Sequence, residues 1–204
     1  SDAGRVVAEA PLPALPLAYG CWLDARDGAT LHVVLGVADA SGATFLCWSG
    51  IAGQPPTWAW SWQVAGAVPV PGATVSIAAE GDRALRMTAL VHGAASVGEE
   101  PARWPVYAAC VAGDGAFTTR AVVALEAPAA WGALVAMPTR SGDALAALLR
   151  DAEGRHVAVR GEAAVALGEA VGITAPPQLM RVGGDVYALT YGAEGEPGAA
   201  LLVV

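Results

Sequence analysis

The sequence predicts an all-β domain of four sheet repeats closed into a ring. Three observations lead there: apolar runs punctuated by Gly- and Asp-containing turns, a unit of successive strands that recurs along the chain, and two terminal runs that each lack a neighbour until placed side by side. At 204 residues, with 55% hydrophobic and 15% charged side chains, the chain has enough apolar material to bury a substantial core, which excludes disorder. No window approaches about 18 uninterrupted apolar residues, so a soluble protein with no membrane-spanning helix is expected. The chain opens on Ser1 with no charged-then-apolar leader, so a leader is expected to have been removed or never present. Compartment is not read directly, and an extracytoplasmic or secreted setting is favoured over the cytoplasm.

Taken in order, a strand-like run, a connector and a second strand recur as Gly4–Leu23, Trp60–Ala79, Arg120–Met137 and Glu162–Val182. Polar turns follow at Asp24–Gly28, Glu80–Arg83, Pro138–Asp143 and Gly183–Asp185, each rich in residues that favour hairpins. The next apolar runs are Thr30–Leu35, Ala84–Val91, Ala144–Leu149 and Val186–Tyr191, and a third set follows at Thr44–Trp48, Pro105–Val111, His156–Arg160 and Ala199–Val204. First strands beginning near Ala18, Val75, Ala133 and Gln178 lie 57, 58 and 45 residues apart. The units are therefore 18–66, 75–126, 133–168 and 178–204, within one domain spanning 1–204. The last unit stops at its third strand, while Arg5–Ala10 at the other end resembles a fourth. Pairing Arg5–Ala10 with Ala199–Val204 completes the unit and closes the ring.

In this pattern the chain resembles the β-propeller superfamily, at the level of architecture and across nearly its whole length. Four blades are implied. No Trp-Asp or kelch signature recurs, and the turns Asp39–Gly42 and Asp151–Gly154 resemble the Asp-box turn of sialidase-like propellers. The blade count is similar to that of hemopexin-like domains, whose hallmarks are absent, so no haem or metal is carried over. Against the strand reading, 141–153 and 162–172 are Ala/Leu-rich and favour short helices by propensity, which makes an α+β domain the competing expectation.

Charge narrows the function. The formal net charge is −8, and all 11 basic residues are Arg, scattered from Arg5 to Arg181 with no basic face to displace counterions from phosphate. Nucleic acid is excluded on that ground. The absence of Lys and Asn reads as a coding bias. Cys21, Cys47 and Cys110 show no CxxC or Cys/His spacing for zinc; Cys21 and Cys47 share a Cys-Trp context and could face each other on neighbouring strands, although buried free thiols are favoured.

Trp58, Trp60 and Trp62 alternate with Ala59 and Ser61, so an unbroken strand projects all three indoles from one face, either as a sugar-stacking platform or, favoured, as core packing. Trp22, Trp48, Trp104 and Trp131 read as packing residues. His32, His92 and His156 are isolated, with no spacing for a shared metal. Most aspartates fall in turns, where the carboxylate bonds local backbone. The chain has no phosphate-binding, dinucleotide, nucleophile-elbow or zinc-protease motif, so no cofactor and no metal site is expected, and an enzyme is disfavoured. Loops Ser49–Thr57 and Gly93–Arg103 exceed hairpin length, and the second places Glu99, Glu100, Arg103 and Trp104 at a candidate partner surface. The function expected is a non-catalytic module that binds another protein, such as a subunit of a larger assembly. A lectin-like glycan binder using the Trp stripe is the alternative, and a sialidase- or glycosidase-like enzyme the second.

Overall fold

Among the described residues, the short apolar runs bounded by Gly, Pro and Asp form strands. The computed structural model describes residues 15–24, 30–51, 57–80, 84–96, 98, 101–112, 115–139, 142–161, 163–168, 173, 177–183, 186–193 and 196–203, and among them are sixteen strands and no helix. No helix among these residues is long and apolar enough to cross a membrane.

The first sheet is an antiparallel meander of β1 (Ala18–Asp24), β2 (Thr30–Asp39), β3 (Gly42–Ile51) and β4 (Thr57–Ala65). In the second, β5 (Ala67–Pro69) and β6 (Ser76–Glu80) both pair with β7 (Ala84–Gly93), followed by β8 (Trp104–Val111) and β9 (Phe117–Leu125). The third runs through β10 (Ala129–Thr139), β11 (Gly142–Asp151), β12 (His156–Arg160) and β13 (Ala163–Gly168). The fourth has β14 (Gln178–Gly183), β15 (Val186–Ala193) and β16 (Glu196–Val203).

The sheets do not close into a four-bladed ring. They are open antiparallel sheets packed face to face in series, a sandwich-like arrangement. The first sheet packs on the second through β1 against β6 and β2 and β3 against β5; the second packs on the third through β6 and β7 against β10; the third meets the fourth through β10 against β14. Among the described residues no extensive contact joins the fourth sheet back to the first, and β16 pairs with β15 alone. The expected closing strand Arg5–Ala10 lies outside the described residues. A repeated strand count is compatible with a ring or an open stack alike, because each meander is local while closure depends on a contact across the whole chain.

What joins the first three sheets is the break between β5 and β6. Val70-Pro71-Gly72-Ala73 forms a turn with Gly72 at φ 67° and the Ala73 N–H on Val70 O at 3.1 Å, the arrangement a Pro-Gly pair favours. The turn carries its backbone away from β7 and onto neighbouring sheets. Tyr19 N–H donates to Ala73 O (3.1 Å), Val75 N–H to Tyr19 O (2.7 Å), Gly72 N–H to Leu17 O (2.6 Å) and Gly132 N–H to Pro71 O (3.3 Å). Gly20 lies against this segment with no room for a side chain: a Cβ there would sit 2.3 Å from Val75 O. Around the junction runs one continuous core, including Val34, Phe45, Val70, Met87, Leu90, Val106 and Leu149, all fully buried.

The strand reading holds over the competing helices among the described residues. β11 and β13 cover most of 141–153 and part of 162–172. Leu145, Ala146, Ala147, Leu148 and Leu149 are all at most 2% exposed, because β11 is covered on both faces; Leu149 faces the main core and Leu148 a second cluster with Trp131 and Ala158. A strand buried on both faces is apolar throughout, so its alternation disappears and Ala/Leu propensity misleads.

The thiols are separated. Cys21 aligns with Val33 and Cys47 with Val34, so β2 lies between them and successive residues of β2 set them on opposite faces. Two strand spacings, about 9.6 Å, exceed disulfide reach. Cys21 is exposed, whereas Cys47 and Cys110 are buried and burial pushes the Cys47 thiol up to about 11. A thiol-reactive chromophore should therefore titrate one fast thiol per native chain and the other two only on unfolding; two fast thiols would contradict this register.

Candidate functional site

Of the sequence-predicted site residues that are described, Trp58, Trp60 and Trp62 lie on the first sheet, and Trp104 begins β8 in the second, with Arg103 immediately before it. On β4, Trp60 aligns with Cys47 and Trp62 with Phe45, but a register shift between Cys47 and Trp48 pairs Trp58 with Trp48 and leaves Ala59 as the extra residue. The strict alternation that would carry three indoles to one face is thus interrupted. Trp62 is 8% exposed, stacked on Phe45 at 4.5 Å between centroids and flanked by Trp60 at 5.1 Å. Its faces are taken up by core packing. Trp104 aligns with Leu125 and packs on the same core. Glu99 and Glu100 lie outside the described residues. Two of the three histidines have local partners: His32 Nδ1 lies 2.8 Å from Ser49 Oγ and its ring stacks on Trp22, and His92 Nδ1 lies 3.3 Å from Gly93 O.

The β2–β3 turn shows what a turn aspartate does in this chain. Asp39 accepts from the Ser41 N–H (2.7 Å), the Ser41 hydroxyl and the Thr44 hydroxyl (2.8 Å), and these bonds, the Ser41 hydroxyl foremost, lower its pKa to about 2. The turn is a structural clasp. Its contribution is present above the unfolded carboxylate range and is lost as pH falls toward 2.

Arg103 is different, because it reaches a second sheet. The loop before it is clasped by Ser96, whose N–H donates to Arg103 O (2.8 Å) and whose hydroxyl accepts from Arg103 N–H (3.1 Å). From there Arg103 Nη1 donates to Glu126 Oε1 at 3.1 Å, just beyond the end of β9. The other carboxylate oxygen, Oε2, receives Arg155 Nη1 at 3.1 Å from the turn between β11 and β12. Arg155 is in turn anchored on Asp151, whose carboxylate is 2% exposed and accepts Arg155 Nε (2.8 Å), Arg155 N–H (3.0 Å) and Glu153 N–H (3.0 Å). The hydrogen bond to Asp151 is the largest of the effects that raise the Arg155 pKa. Glu153 adds a contact at 2.6 Å.

These groups rim a cleft of about 330 Å³ between the end of β9 and the β12–β13 hairpin, walled by Val123, Leu125, Val157, Ala164 and Ala166. His156 lies at its base, 5% exposed, edge-on to Trp131 at 5.5 Å. Neither ring nitrogen has a hydrogen-bond partner, the Ile173 backbone approaching outside bonding geometry. Burial, followed by the nearby Arg150 charge, lowers the His156 pKa, so the ring is neutral at pH 7.

No protein family, no curated protein and no solved structure matches this chain. Its chemistry therefore rests on geometry. The two carboxylates that line the cleft, Glu126 and Asp151, both bind Arg155, which secures the turn and rim and does not set two open acids across a substrate. Among the described residues, no three His, Cys, Asp or Glu side chains gather as a metal requires. Of the candidate partner-surface residues that are described, Arg103 lines the cleft, as does His156 among the three histidines. Glu126, Arg155 and His156 went unnoticed as a group, although Arg150, Asp151, Glu153 and Arg155 concentrate charge in a chain that is 15% charged.

The buried neutral imidazole makes stability depend on pH. The unfolded chain takes up a proton near pH 6.5 that the folded state resists, so stability falls as pH drops below that value, by at most about 1.4 kcal/mol per unit. Lowering pH from 7 to 5 should lower the melting temperature, and His156→Phe should flatten that dependence while leaving the native fold at pH 7. An unchanged pH profile in the variant would place the dependence elsewhere.

Proposed function

We propose that this chain is a non-catalytic protein-binding module, and that it presents the β1 edge of its first sheet to a partner. One observation carries the reading. Tyr19, Cys21, Leu23 and Leu31 share a face, with Leu23 directly opposite Leu31 on β2, and Tyr19, Leu23 and Leu31 are 53%, 58% and 43% exposed. Adjacent large apolar side chains left in water are a feature that marks partner surfaces, where single exposed apolar residues do not. The strand beneath it supports the same reading: among the described residues β1 pairs with β2 on one side, while on the other only its start, at Tyr19, is bonded to the Ala73–Val75 segment, which leaves the stretch from Cys21 to Leu23 as open edge.

The test is the double variant Leu23→Glu/Leu31→Glu. Affinity-tagged wild-type chain recovered from its own cells should carry a stoichiometric protein partner, and the double variant should lose it while melting at an unchanged temperature. Retention of the same partner by the variant would remove this surface from the function.

A further inference from the structure

We infer that the cleft between β9 and the β12–β13 hairpin is a binding site for a small aliphatic carboxylate, and that Glu126 occupies the place of the ligand's carboxylate when the site is empty of it. The inference is independent of the protein-binding surface on β1. Its first support is the convergence of two guanidiniums, from different sheets, on the two oxygens of one carboxylate: Arg103 Nη1 on Oε1 and Arg155 Nη1 on Oε2, both at 3.1 Å. That is the arrangement by which proteins recognise a carboxylate, since charge-assisted bonds from planar guanidinium groups fix both position and orientation.

The carboxylate now in that place is weakly held. Glu126 is 49% exposed and lies in the bend after β9, so its pairing with two partly exposed arginines is worth about 1 kcal/mol or less apiece. Arg155, by contrast, is pinned through its Nε to the buried Asp151 and does not depend on Glu126 for its position. A ligand carboxylate can thus exchange with Glu126 without dismantling the seat.

Below the two guanidiniums the walls are apolar, formed by Val123, Leu125, Val157, Ala164 and Ala166. A volume of about 330 Å³ is within the range of small-molecule sites. A third polar group strengthens the case. Arg155 Nη2, on the same guanidinium that holds Glu126, is buried without a hydrogen-bond partner, and such a donor is costly to maintain unless something engages it. A charged head at the arginines and a short hydrocarbon body along the walls match this distribution; a free amine would meet two guanidiniums at the mouth.

The probes are hexanoate, hexanol and hexylamine, titrated into the full chain by calorimetry with the arginine side-chain N–H resonances followed in parallel. Hexanoate should bind saturably and shift the Arg155 side-chain resonances, whereas hexanol and hexylamine should not bind. Glu126→Gln, which removes the competing charge, should tighten hexanoate by about tenfold, a change of about 1.4 kcal/mol. Arg103→Gln should weaken it by at least as much. Should Glu126→Gln fail to fold, Glu126→Ala serves the same purpose, and the wild-type series with the three probes remains decisive. Equal binding of hexanol and hexanoate, binding unaffected by Arg103→Gln, or no binding of hexanoate to the folded Glu126 variant would each overturn the assignment.

Discussion

Gly20→Ala is expected to destabilise the protein by about 3–5 kcal/mol, more than an ordinary glycine substitution in a strand. The added Cβ would lie 2.3 Å from Val75 O and 3.0 Å from Val75 Cβ, and the first of these is backbone that cannot rotate aside. Relief requires the 70–75 segment to move away from β1, which breaks the bonds of Tyr19 with Ala73 and Val75 and loosens Gly72 on Leu17. Those bonds hold the first sheet to the second. Gly66 supplies the comparison: its φ is 66°, and a Cβ there meets nothing within 4 Å, so Gly66→Ala carries only the backbone cost of about 1 kcal/mol. Urea unfolding midpoints would separate the two. Equal losses would mean that the close approach at Gly20 does not exist.

Phe45→Ala is expected to cost about 3–5 kcal/mol, the range for deleting a buried aromatic ring whose surroundings cannot collapse. Phe45 is fully buried, stacked on Trp62 with an interplanar angle of 14°, and its ring rests on Gly36, where an added Cβ would sit 2.7 Å from Phe45 Cε1. The glycine is thus part of the same packing unit. Gly36→Ala alone should destabilise by overpacking, and in a Phe45→Leu background, where the ring is gone, its cost should shrink. A double-mutant cycle that came out additive would show that the two residues do not share this space.

The elements differ in how far the sequence discloses them. β2, β3, β7, β8, β12 and β15 were legible because alternation and Gly- or Asp-bearing turns are local signals, and the bonds of Asp39 show why such turns hold. β11 was ambiguous because burial on both faces erases alternation, leaving Ala and Leu to suggest a helix. The closure of a ring was not legible at all, since it depends on whether the first and last sheets meet. The first three sheets instead stack through Gly20, Gly132 and the Val70–Ala73 turn, a junction whose Pro-Gly pair is visible in sequence but whose partners are not.

The site follows the same rule. Asp151 was readable as a turn aspartate and is one, yet its hold on Arg155 matters because Arg155 then reaches Glu126 on another sheet. Arg103 was singled out through its loop, while the contact that gives it meaning lies 23 residues further on. Along the Trp58–Trp62 stripe the register shift at Ala59 interrupts the backbone alternation, a single-residue irregularity that the sequence does not show.

The most direct test of the partner surface is site-specific photocrosslinking in the protein's own cells, with a photoreactive phenylalanine analogue in place of Leu23 and, separately, of Val165. Both side chains are exposed apolar positions, at 58% and 52%, on different sheets. A discrete protein adduct from position 23 and none from position 165 is the predicted result. Adducts of equal yield from both positions, or from 165 alone, would contradict the assignment of the β1 edge as the surface through which this protein acts.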